Sequence, residues 1–254
     1  TYTGNTTVNQ GTLRLDFSSG TAPAANIVNN AANSSSLALN GGTLEVKGRG
    51  TAVSQRFANT TIGAGSSTLS TTDSANGITV TLNNLARNTG GTVNFILPVA
   101  GSIEAASGTA SSILLSSGVP YATVGGSDWA ARAANGTSIV GLSSVNGYTA
   151  TTAGSLASNA DVAAGVDTTV GTASSTSIRF NVGEARSITS TSLTTGGILV
   201  TSAVGNNVST INGGDLTGLA NQDLVIIQNN TAGVLSIASA IVNNAATNLV
   251  KAGA

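Results

Sequence analysis

One short element, returning along the 254-residue sequence, constrains the fold most: a glycine, often doubled, then a small residue, then aliphatic or β-branched residues. It stands at Gly41-Gly42-Thr43-Leu44, Gly90-Gly91-Thr92-Val93, Gly196-Gly197-Ile198-Leu199, Gly213-Gly214-Asp215-Leu216 and Ala232-Gly233-Val234-Leu235. The last three fall 17 and 19 residues apart, at Gly197, Gly214 and Gly233, which predicts a structural repeat of about that length. A glycine suits the corner of a coil that turns between short strands, because such a corner needs positive φ. A single rung cannot bury its own apolar side, whereas rungs stacked ~4.8 Å apart bury a shared aliphatic column and pair every interior strand.

The intervening residues read as strands from end to end. Alternation is clear in Thr12-Leu13-Arg14-Leu15-Asp16-Phe17, Thr43-Leu44-Glu45-Val46 and Ile78-Thr79-Val80-Thr81-Leu82. It returns at Val93, Phe95 and Leu97, at Ile178, Phe180 and Val182, and at Leu224 with Ile226 and Leu235 with Ile237. Asparagine pairs beside these stretches, Asn29-Asn30, Asn83-Asn84, Asn206-Asn207, Asn229-Asn230 and Asn243-Asn244, suit left-handed turns or stacked amide ladders. The alanine-rich Ala130–Ala134 has room for one helical turn before Asn135-Gly136 ends it.

Composition separates this pattern from disorder. Charged residues are 7% of the chain, but 40% is hydrophobic and mean hydropathy is +0.24, so the chain folds. The nine basic residues are spread singly from Arg14 to Lys251 and net charge is -1, which leaves no basic stripe for nucleic acid. The absence of cysteine is compatible with an oxidising exterior. No run has the length of a membrane helix, and no direct membrane insertion is expected; the sequence opens at Thr1-Tyr2-Thr3 without a signal peptide, so any export signal is expected to have been removed or to lie outside this segment.

The rhythm breaks over residues 107–169, which hold Tyr121, Asp128, Trp129 and Tyr148. The reading is one β-solenoid domain over 1–254, with regular rungs at 1–106 and 170–254 and a lateral excursion or irregular rungs at 107–169, because no polar or proline-rich linker marks either edge.

Tyr2-Thr3-Gly4, followed by Thr6-Thr7-Val8-Asn9 and Gly11-Thr12-Leu13, resembles the autotransporter-associated β-strand repeat of large bacterial surface passengers. Tyr121–Ala130, Ile178–Asn181, Gly196–Val200 and Gln228–Gly233 are similar to the same family, in the versions found in giant proteins of the Planctomycetes and Verrucomicrobia kind. The resemblance implies a parallel β-helix, secretion to the surface and a structural or adhesive role. No outer-membrane barrel is part of the sequence, and Leu249–Ala254 resembles the stretch upstream of a Thr-Tyr-Thr-Gly element that here stands at the opposite end. That split suggests that the chain is one period of a longer array, or a subunit stacking head to tail with Thr1, Tyr2 and Thr3 against Leu249, Val250 and Lys251 of the next copy, since open solenoid ends expose unpaired strands and no polar cap is evident.

Candidate chemistry is sparse. Without histidine or cysteine there is no Ser-His-Asp or Cys-His site and no HExxH zinc site. The ten acids are scattered, and Asp161 with Asp167 and Asp215 with Asp223 are expected to cap turns. A carbohydrate-active β-helix would need several acids and an arginine converging in one lateral cleft. Gly125-Gly126-Ser127-Asp128 is read as a plain turn in preference to a calcium turn, because the nonapeptide series that such sites repeat is missing. Trp129 with Tyr121 and Tyr148 is a candidate sugar-stacking patch, against the preferred reading that these rings fill a local core. Thr1-Tyr2-Thr3 and Thr79-Val80-Thr81 are too few for an ice-binding face, and the sequons at Asn5, Asn33, Asn59, Asn135 and Asn207 follow from composition.

The expectation is therefore an all-β, right-handed parallel β-helix, extracellular or on the bacterial surface, without catalytic activity, metal or cofactor. Its role is a fibre or passenger stalk built by end-to-end stacking of copies. The alternative is an adhesin that binds surface glycans near Trp129.

Overall fold

The computed structural model describes residues 2, 4–28, 35–245 and 248–254. The Asn29-Asn30 pair, the Asn33 sequon, Thr1 and Thr3 lie outside the described residues. Two compact units emerge: Thr1–Leu114 with Ala122–Gly125 and Ala130–Val145, and Leu115–Tyr121 with Gly126–Trp129 and Asn146–Ala254. Both units draw on the 107–169 segment. Among the described residues there is no α-helix, only short 3-10 turns at Leu142–Val145 and Ser202–Val204.

In the first unit the chain visits three parallel sheets in turn. The first has the order β1 (Thr6–Val8), β3 (Leu37–Leu39), β6 (Asn59–Ile62), β9 (Asn84–Arg87). The second stacks β2 (Thr12–Asp16), β4 (Thr43–Lys47), β7 (Gly65–Thr72) and β10 (Gly91–Ile96), and the third stacks β5 (Val53–Arg56), β8 (Ile78–Thr81) and β11 (Gly101–Glu104). Register is strict: Leu13, Leu44, Leu69 and Phe95 align across the second sheet, 31, 25 and 26 residues apart. Leu44, Leu69 and Phe95 are fully buried, so the period-two alternation read from the sequence does point one face inward.

Beyond β10, β14 (Ala122–Val124) continues this sheet in parallel. Part of β15 (Asp128–Arg132) then pairs antiparallel with β16 (Ile139–Gly141). The alanine run that had room for a helical turn is thus strand through Arg132, buried at Ala130 and Ala131, and turn from Ala133 onward.

The second unit opens with an antiparallel hairpin, β12 (Leu115–Ser116) and β13 (Val119–Pro120), followed by β17 (Thr149–Ala150) and β18 (Asn159–Asp161). Two long strands, β19 (Thr168–Phe180) and β20 (Arg186–Val200), pair in parallel along most of their length. The first half of β20 pairs with β21 (Ser209–Thr217) and its last residues with β22 (Leu224–Gln228). The outermost strands are β23 (Leu235–Ile237) and β24 (Ala240–Ile241) on β21, and β25 (Leu249–Gly253) on β22. Ala160, Ile178, Ile198 and Ile226 align through β18, β19, β20 and β22 as an interior column.

All-β architecture and stacked parallel strands in both units are consistent with a β-helix. The repeat length differs from the one read off the glycines. Paired residues in the second unit are 18 apart at Asn159 and Ser177, 20 at Ser177 and Gly197, 28 at Gly197 and Val225, and 26 at Ser209 and Leu235. Gly197 stands opposite Val225 and Gly213 opposite Ser190, so the glycine pairs occupy different sides of the coil and their spacing is not one turn.

The doubled glycines also divide their labour. Gly41 has the positive φ of a corner, while a Cβ on Gly42 would lie 2.6 Å from Val8 Cγ1. Gly196-Gly197 is no corner at all, lying inside β20. A Cβ on Gly197 would be 2.7 Å from Pro120 Cγ and 3.0 Å from Trp129 Cη2, so the bare backbone is the floor on which that ring rests. Asparagine side chains mostly bond backbone: Asn207, Asn230 and Asn244 donate to Val204, Gly205 and Gly218 carbonyls. An amide stack forms at Asn40 and Asn9, 2.8 Å apart.

Candidate functional site

Two places in the second unit concentrate what chemistry the chain has. The first gathers Asp128 and Trp129 from β15, Tyr148 ahead of β17, Asp161 from β18 and Arg179 from β19. Parallel pairing sets Asp161 directly beside Arg179. The guanidinium grips that carboxylate with two bonds, Nε to Oδ1 at 2.9 Å and Nη2 to Oδ2 at 2.6 Å. Its Nη1 reaches Asp128 Oδ1 at 3.2 Å, and its plane lies 3.9 Å from the Tyr148 ring centre. The Tyr148 hydroxyl donates to Asp128 Oδ1 at 2.8 Å and accepts the Trp129 backbone N–H at 3.0 Å. Burial and the Asp128 charge push the Tyr148 phenol well above its ordinary range, so it stays a donor. Burial opposes the Arg179 charge, but Asp161, Tyr148 and Asp128 outweigh it and raise the guanidinium above its usual value.

This cluster is a lock between elements. Trp129 is 0% and Tyr121 1% exposed, which corrects the candidate sugar-stacking patch: neither ring offers a face to a ligand, and both fill core. Trp129 Nε1 donates to Ile178 O at 3.4 Å, and Asn229 donates to Gly126 O at 2.7 Å, fastening the Gly125–Asp128 turn from outside. Gly125 and Gly126 both have positive φ, as a tight hairpin turn requires, and among the described residues no three metal-capable side chains gather. Asp161 was expected to cap a turn and instead pairs with Arg179. Asp167 does bind backbone, accepting the Ser187 N–H at 2.8 Å.

Arg179 was missed by the sequence reading. The signal that finds it is the coil offset: opposite charges in adjacent coils at the same register, as in Asp161 with Arg179, Arg14 with Glu45 and Asp16 with Lys47. In the first unit that rule produces an outward ladder, with Arg14 Nε 2.8 Å from Glu45 and Lys47 between Asp16 and Asp73 at 3.6 and 3.9 Å. The bonds from Arg14 and Thr72 hold the Glu45 carboxyl below its ordinary value.

The second place is the outer face of β23, β24 and β25. It is a cup of about 570 Å³ whose wall includes Leu235, Ile237, Ile241, Leu249 and Lys251. Ile241 and Leu249 are 45% and 54% exposed. Of the candidate head-to-tail residues, Tyr2, Leu249 and Lys251 are exposed and Val250 is half-buried.

No family model and no solved structure matches this chain. Over 275 aligned positions, covering 100% of the chain, it is 32% identical to the adhesin BmaC autotransporter of Brucella suis biovar 1 (strain 1330). The chain spans 7% of that relative's length. The similarity supports a passenger-type surface protein and places the chain outside the cell or at the bacterial cell surface.

Proposed function

We propose that this chain is a right-handed parallel β-solenoid stretch of a bacterial surface passenger, and that its role is structural: a stalk or fibre in which solenoid faces stack end to end. The observation that carries the reading is the in-register parallel ladder present in both units, the pairing by which stacked solenoid rungs bury a shared column. The autotransporter-associated repeat is the family this reading favours, and no catalytic step is assigned to the chain. Electron cryomicroscopy of the native material tests it. Strand ladders continuing at ordinary spacing from one solenoid face to the next are the expected result, and discrete particles with closed ends would overturn it.

The relative's description as an adhesin favours a second reading, an adhesive passenger that binds surface glycans. With Trp129 and Tyr121 in the core, the contact surface for such a role lies elsewhere on the coil. Glycan-array binding by the purified chain, unchanged when Tyr121 and Trp129 are substituted conservatively, is the outcome this version expects.

A further inference from the structure

Three consecutive coils of the second unit meet at a small hollow on the outer surface, well inside the sequence. Asp167 stands just ahead of β19, Arg186 and Ser187 open β20, and Val208 and Thr210 frame the start of β21; with Ala185 they line about 170 Å³. Ser187 and Thr210 are register partners on adjacent strands. The coils on both sides are present: Ser236 on β23 stands opposite Thr210, and Ala153 O accepts the Thr169 N–H ahead of them.

Backbone fixes the acids of this hollow. Asp167 Oδ1 accepts the Ser187 N–H at 2.8 Å, and Glu184 Oε2 accepts the Gly165 N–H at 2.8 Å. Arg186 is tucked between them, with Nη1 3.9 Å from Asp167 Oδ1 and Nη2 bonded to Glu184; its side chain is 18% exposed, against 58% and 43% for the two acids. Its Nε is buried and meets no partner in the protein. Acids and an arginine thus converge at a lateral hollow, the arrangement that carbohydrate chemistry on a coil requires. Cleavage of a glycosidic bond would need one carboxyl kept protonated as general acid. The Gly165 N–H and Arg186 instead hold the Glu184 carboxyl below its ordinary value, which suits binding and not hydrolysis.

We propose that this hollow is a subsite for one neutral pyranose ring of a glycan, with Asp167 accepting from ring hydroxyls, Arg186, Ser187 and Thr210 donating to them, and Val208 against the C–H face. This rests on the adhesive reading and gives it a place on the coil. A sugar hydroxyl both donates and accepts, and the lining supplies an acceptor, a donor and two groups that do either. Val208 is exposed, so the polar groups converge beside an apolar contact, as small-ligand sites do. Two acids against one arginine leave a net negative charge, which selects against uronic acids. The volume holds a single ring, so affinity for one sugar is expected to be weak.

The test is NMR titration of the whole chain with the methyl glycosides of glucose, galactose and mannose, against the methyl glycoside of glucuronic acid. At least one neutral glycoside should shift the amides around Asp167, Ser187, Val208 and Thr210, with a dissociation constant of roughly 1–10 mM and the glucuronide at least about 5-fold weaker than its glucose counterpart. Thr210→Val, which keeps the branched shape and removes the hydroxyl, should weaken that neutral sugar about 3- to 10-fold. Asp167→Asn should bring the glucuronide close to its glucose counterpart. No shifts with any of the three neutral glycosides, shifts mapping elsewhere, a glucuronide that binds the native chain as well as glucose, or affinities untouched by Thr210→Val would overturn the proposal. A glycan array separates the two ideas: array binding that survives Thr210→Val refutes only this subsite, and monosaccharide shifts at the hollow without array binding refute only the adhesive role.

Discussion

Gly171 and Gly197 both lie inside long strands, yet a methyl group means opposite things at the two positions. Nothing stands within 4 Å of a Cβ on Gly171, so Gly171→Ala mainly restricts the unfolded chain and should leave stability unchanged or raise it by about 0.4–1 kcal/mol. Gly197→Ala drives a methyl into Pro120 and Trp129 and should cost about 1–3 kcal/mol. Urea unfolding of the two variants side by side checks both signs. Removing Arg179 as Arg179→Met strands two acids it now pairs, one of them largely buried, and should cost about 3 kcal/mol. Arg14, with 55% of its side chain exposed, should lose far less in the same substitution. Tyr148 gives the fold a pH dependence whose sign follows from its raised phenol. The folded state keeps that proton where the unfolded chain, near the ordinary value of 10.0, releases it. The contribution is therefore complete below that value and declines as pH rises beyond it. Unfolding midpoints taken from pH 9 to pH 11 should fall more steeply in the native chain than in Tyr148→Phe.

At the scale of elements, ladder position decides local stability. Among the described residues, strands β4, β7 and β20 have partners on both sides, whereas β1, β2, β23, β24 and β25 are paired on one. Native-state hydrogen exchange should show the slowest amides in the first group and early opening in the second. The same elements explain what the sequence could disclose. Alternation in Leu13–Leu15 or Ile78–Val80 is local, so strand identity and inward face were readable without any partner. Coil length was not, because glycine serves two physical purposes. Gly41 marks a corner through its φ, while Gly197 marks a place where Trp129, 68 residues earlier, comes to rest; both are written with the same letter. The Arg179 cluster was hidden for a related reason. Its links to Asp161 and Asp128 span 18 and 51 residues, and no local period contains them until the register is known. Burial of Trp129 was foreseeable as the preferred reading of its surroundings, yet only packing distinguishes a ring that fills a core from one that greets a ligand.

Taken as a molecule, the chain relies little on charge: 7% of its residues are ionisable acids or bases, and several of these are paired across adjacent strands. Ionic strength should therefore matter little, with the thermal midpoint moving by no more than about 2 °C between low and moderate salt, read by circular dichroism. The parallel register has a mechanical consequence. In each unit the ladder bonds run along the stacking direction, so tension applied there opens them one coil at a time instead of shearing many together. The coil from Leu44 to Leu69 holds 25 residues and, drawn straight, frees roughly 80 Å of chain in exchange for the ~4.8 Å of height it occupied. In the stalk role proposed above, such a ladder would lengthen in small steps and dissipate a sudden pull as a shock absorber does, where a stiff rod would transmit it.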